Sequence, residues 1–139
     1  MNTENLIVEK KEFILLKRFI TLSSYHRDKT LLRHLKELSS NLETACVYSE
    51  DEIPKNVVRI NSIVTVSTKR GCKKDFQLVL PSKENSSQNK ISLLSCLGAA
   101  IIGKIEGSTI TLDTPSNKKI LRIEKVSQQN KNISLDILL

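Results

Sequence analysis

The sequence predicts an α+β protein: a short N-terminal antiparallel helical hairpin, then an antiparallel β-sheet domain with one short helix. Three observations carry that reading. Apolar residues recur at helical spacing from Phe13 to Ala45. The run Ser49-Glu50-Asp51-Glu52-Ile53-Pro54 then ends the pattern, because an acidic cluster and a proline cannot continue an apolar seam. Beyond Val57 the apolar residues are β-branched and alternate, the period of a strand.

In the first helix Phe13, Leu16 and Ile20 recur at three- and four-residue spacing, flanked by Leu15, Phe19 and Leu22. Tyr25 to Lys29 is a polar break, and Asp28 or Thr30 can cap a second helix. There Leu31, Leu35, Leu38, Leu42 and Ala45 form a coiled-coil-like seam. Two amphipathic helices joined by a short loop pack antiparallel, so residues 1–50 are expected to form the hairpin and 51–56 a linker.

The β-domain is expected over 57–139. Ile60, Ile63, Val64 and Val66 read as a strand, Arg70-Gly71-Cys72 as a turn, and Phe76 to Leu80 as the returning strand. Pro81 to Lys90 is polar and reads as a mobile loop. Ser95 can cap a short helix through its hydroxyl. Gly98, Ala99 and Ala100 let that helix lie close on a sheet; Gly103 suits its stop and Gly107 a turn. Thr109–Leu112 and Ile120–Val126 are further strands around a turn at Asp113–Lys119. The tail from Ile133 to Leu139 is apolar enough to dock as a strand or to meet a partner.

Composition narrows the function. There is no Trp, and there are only three Phe and two Tyr, so the core rests on Ile, Leu and Val and base-stacking platforms are scarce. The net charge of +7 favours acidic partners, but the cations come in pairs spread along the chain rather than in one block. Cys46, Cys72 and Cys96 are too few and too far apart for a disulfide framework, which points to a reducing, cytoplasmic setting. His26 and His34 lack metal-site spacing, so no metal or other cofactor is expected. No signal peptide or membrane span is read, and no nucleophile triad, phosphate loop or catalytic carboxylate pair; the chain is not expected to be an enzyme or to bind a small-molecule substrate. Asn85-Ser86-Ser87 fits a glycosylation acceptor by pattern only.

Two stretches carry a family resemblance. Ile91 to Ser108 resembles the pattern Ile-Ser-x-x-Ser-Pro-Leu-Gly-x-Ala-Leu-Leu-Gly-x-x-x-Gly-Asp of the C-terminal domain of Gre transcription elongation factors. Ile53-Pro54, Val57-Val58, Asn61-Ser62 and Val64 are similar to the junction before this domain in Rnk, the short-hairpin regulator of nucleoside diphosphate kinase. The resemblance spans about residues 12 to 126 and implies an FKBP-like C-terminal fold. It also implies binding to RNA polymerase at the rim of the secondary channel. Gre factors insert a long coiled coil there, with acids at its tip that hold a catalytic magnesium; Rnk resembles them in the C-terminal domain but lacks that tip.

The resemblance implies a polymerase-binding segment at Leu94, Ser95, Cys96 and Leu97. Gre factors have an acid where this chain has Leu94 and a proline at Cys96, and Ser108 replaces the usual Asp. The expected function is therefore a non-catalytic bacterial transcription regulator that competes with Gre factors. The alternatives are a basic nucleic-acid-binding module or a general protein-interaction module. A prolyl isomerase is disfavoured, since the β-domain has only Phe76 to line an aromatic pocket.

Overall fold

A computed structural model describes residues 5–23, 28–113 and 118–129. Strand β1 (Ile7–Glu9) leads directly into helix α1 (Lys10–Leu22); helix α2 (Lys29–Leu42) is followed by strand β2 (Cys46–Tyr48). The rest is β3 (Ile63–Thr68), β4 (Lys73–Val79), β5 (Lys90–Ser92), helix α3 (Cys96–Ile101), β6 (Thr109–Asp113) and β7 (Lys118–Ser127).

Helix α2 forms over the first four positions of its seam, while Ala45 lies beyond the helix end and is half-buried. Leu31, Leu35, Leu38 and Leu42 are buried, and the Asp28 carboxylate accepts from the Thr30 and Leu31 amides at 3.0 and 3.1 Å. Helix α1 differs in phase. Its buried stripe is Glu12, Leu15, Leu16 and Phe19, while Phe13 and Ile20 are half-buried and Leu22 is exposed. A carboxylate occupies one position of the inward face, so apolar spacing alone places that face wrongly. Glu9 caps the helix by accepting from the Lys11 and Glu12 amides.

The feet of the hairpin are joined by a ladder that the hydropathy pattern does not reveal. β1 and β2 pair in parallel, Ile7 opposite Cys46 and Glu9 opposite Tyr48. The Ile7 amide also donates to the Gly103 carbonyl at 3.0 Å, tying the pair to the chain just after α3.

The main sheet has the order β5-β4-β3-β7-β6. It is antiparallel except at one edge, where β5 runs parallel to β4 with Leu78 opposite Ile91. The polar stretch before β5 allows this, because it carries the chain back along β4 instead of turning tightly. That stretch, expected as a loop, contains two 3-10 turns at Pro81–Lys83 and Ser86–Gln88. The Asn85 side chain caps the second. Ile60 lies outside β3 but is buried, and a bulge between Thr65 and Val66 shifts the β3–β7 register.

One apolar cluster runs from Leu6 and Val8 through Leu15, Leu35 and Leu38 to Val64, Leu78 and Ile123. Helix α2 packs on α3, so hairpin and sheet share this core. The central hairpin break at Tyr25–Arg27, Pro115 and the apolar tail at Ile133–Leu139 lie outside the described residues.

Candidate docking surface

The segment expected to bind polymerase sits where β5 leaves the sheet and α3 begins. Ser92 organises the turn: its side-chain oxygen accepts from the Leu94 amide at 2.9 Å, and its carbonyl accepts from the Ser95 amide at 3.1 Å. The Ser95 hydroxyl donates to that same carbonyl at 2.7 Å and accepts from the Gly98 amide at 3.0 Å, so Ser95 is the cap the sequence implies.

This turn rests on a close helix–strand approach. A Cβ placed on Gly98 would lie 2.3 Å from the Ser92 carbonyl oxygen and 2.8 Å from the Leu93 Cα. Only glycine lets α3 seat at that depth. Gly103 then adopts φ +79° as the chain leaves the helix region, with the Leu6 side chain against it.

The result is a fixed, partly exposed strip. Leu93 is fully buried and Gly98 is buried, while Leu94, Ser95, Cys96 and Leu97 between them are all half-buried. The strip presents two leucines and a thiol around one hydroxyl already engaged in capping. Burial pushes the Cys96 thiol above its ordinary pKa, and the negative charges of Asp28 and Asp113 act in the same direction. Helix α2, which Asp28 caps, packs on α3 beside this strip.

A second arrangement fixes the hairpin against this domain. Arg59, between hairpin and sheet, donates from Nη2 and Nε to Glu12 Oε2 at 2.7 and 2.9 Å. Its Nη1 and Nη2 donate to the Glu50 carboxylate at 2.7 and 2.8 Å. The other Glu12 oxygen accepts from the Ile60 amide at 3.2 Å. Burial raises the Glu12 pKa despite the guanidinium, whereas the Arg59 hydrogen bond lowers that of exposed Glu50. Sequence reading missed this network because its members are polar and Glu12 lies 47 residues from Arg59.

The family model described as Transcription elongation factor, GreA/GreB, C-term matches residues 53–128. The chain belongs to the GreA/GreB family. As a GreA/GreB-family chain it is 38% identical over 96 residues to transcription elongation factor GreA of Chloroflexus aurantiacus, an alignment covering 68% of this chain and 59% of that protein. GreA of Streptococcus sanguinis is 31% identical over 111 residues, covering 74% of this chain and 69% of that one. A GreA/GreB transcription elongation factor from Nitrosomonas europaea matches 91% of this chain and 100% of its own, with TM-score 0.73 and 24% identity, and so shows the same fold. The chain spans about 59% of the length of the Chloroflexus GreA it matches. The strip and the Gly98 contact both lie inside the span matched by the family model. No helix among the described residues is long and apolar enough to cross a membrane.

Proposed function

We propose that this GreA/GreB-family chain is a cytoplasmic, Rnk-like regulator that docks on RNA polymerase near the secondary-channel entrance without stimulating transcript cleavage. The observation that carries docking is the Ser92-organised strip. Leu94 and Leu97 stand half-exposed on a turn whose backbone is fixed by hydrogen bonds and by the Gly98 contact, so binding would not have to order it.

Two features support the non-catalytic half. Helix α2 has 14 residues and, at about 1.5 Å each, reaches about 21 Å, short for delivering a group to a deep active centre. Magnesium held in trans needs a cluster of hard oxygen ligands. Asp28, the carboxylate expected near the hairpin tip, is engaged as the cap of α2.

The assay is a backtracked elongation complex, with and without a cleavage-competent Gre factor. Added alone, the protein should leave RNA cleavage at its intrinsic rate. In excess it should slow Gre-stimulated cleavage. Strong acceleration by this protein alone, abolished by Asp28→Ala, would overturn the non-catalytic reading. Absence of both competition and polymerase binding would overturn docking.

A further inference from the structure

The far end of the sheet carries charge that nothing in the docking strip uses. Every residue from Thr68 to Asp75 is exposed, so the β3–β4 turn forms an open corner at one end of the sheet, with β7 flanking β3 on its other side. That corner holds Lys69, Arg70, Lys73 and Lys74, and among the described residues none of these forms an ion pair. The register extends the patch sideways. Lys73 is opposite Ser67, and Ser67 is opposite Arg122 on β7, so the two cations share one face of the sheet across β3. Lys118 and Lys119 begin β7 at the same end. Of the acids nearby, Asp75 accepts from the Thr65 hydroxyl, Glu124 accepts from the Ser67 hydroxyl and faces Arg122 Nε at 3.6 Å, and Asp113 accepts from Arg33 at 3.4 Å, so Arg122 is a paired cation at the margin of the patch.

We propose that this corner is a contact surface for the phosphate backbone of duplex DNA, read without sequence preference. Unpaired cations clustered on an exposed hairpin turn match closely spaced phosphates. The exposed tip contains no aromatic residue, which disfavours single strands, whose binders stack bases on aromatic platforms. The surface is separate from the docking strip. β4 runs from Lys73 at the tip to Val79 beside β5, about 20 Å at about 3.4 Å per residue. A molecule held by Leu94–Leu97 would therefore keep the corner free for a second ligand.

The test is fluorescence anisotropy of the full chain with a labelled duplex of mixed sequence. Four phosphate contacts give a log–log salt slope of about −3.6, so affinity should fall about 10²-fold between about 50 and 200 mM salt. Replacing Lys69, Arg70, Lys73 and Lys74 by Gln should remove most binding and flatten the slope. A control set, Lys10, Lys11, Lys36 and Lys55 to Gln, removes the same charge from exposed sites elsewhere and should leave most binding intact. Leu94→Asp should bind the duplex like the parent. Equal losses in the two Gln sets would show diffuse charge and overturn the assignment. So would tighter binding to a single strand. Equal retention of poly-glutamate would overturn it in favour of an acidic protein partner.

Discussion

Arg59 and Glu12 meet at 2.7 Å across the boundary between hairpin and sheet, with Glu12 only 2% exposed. Removing one partner of such a pair strands the other charge in the interior. Arg59→Met should therefore destabilise the fold by about 3–5 kcal/mol. The defect should shrink on acidification, since a stranded Glu12 takes up a proton, and the double variant with Glu12→Gln should recover part of it. Denaturant unfolding at several pH values checks this; an Arg59→Met loss independent of pH would contradict it.

Glu50 supplies a second pH signature. Its folded-state pKa lies below the ordinary 4.5, with the Arg59 hydrogen bond as the main cause. Its contribution is present above 4.5 and is lost as pH falls through the lower folded value. The stability gap between the parent and Glu50→Gln should therefore close in acid. Glu12 acts oppositely: because burial raises its pKa, its ionisation lowers stability as pH rises through the raised value.

Gly98→Ala tests how deeply α3 is seated. The new methyl would lie 2.3 Å from the Ser92 carbonyl oxygen, a backbone atom that cannot move alone. Overpacking of this kind costs about 1–3 kcal/mol, and here it would displace the Ser95 cap and the docking strip with it. Thermal unfolding should show the loss, and polymerase binding should weaken in the same variant.

Leu94→Asp should change polymerase affinity by about 1 kcal/mol or more while leaving the fold intact, because Leu94 is half-exposed. Unaltered binding by a well-folded variant would remove Leu94 from the interface. Cys96 gives an independent readout: burial and a raised pKa should make it alkylate more slowly than exposed Cys46 and Cys72, and polymerase should slow it further.

The proposed division at 51–56 can be tested with residues 57–139 alone. That fragment keeps the five-stranded sheet but deprives Arg59 of Glu12 and Glu50, and Gly103 of its Ile7 and Leu6 contacts. It should retain β-sheet circular dichroism while melting more than about 10 °C below the full chain. A random-coil spectrum would show that the two parts fold only together.

Local signals were legible. The leucine seam of α2, its Asp28 cap, the Ser95 cap and the Gly103 stop each depend on residues within a few positions of one another. The strands after Val57 were visible by alternation. Long-range features were not. β1 and β2 have three residues each and acquire meaning only when Ile7 meets Cys46. The phase of α1 was hidden because Glu12 occupies its inward face, and that burial becomes intelligible only with Arg59 opposite it. The strip at Leu94–Leu97 came from family resemblance, since periodicity alone reads it as a strand end and helix cap.

The β1–β2 ladder also bears on how far the hairpin can extend. With Ile7 fastened to Cys46 at the base, the intervening helices form a closed excursion whose root does not depend on its length. Matched turns added to α1 and α2 would raise the tip by about 5.4 Å each and leave the root register untouched. The architecture is thus a stalk of adjustable height on a constant pedestal, and reach can change independently of the proposed docking strip.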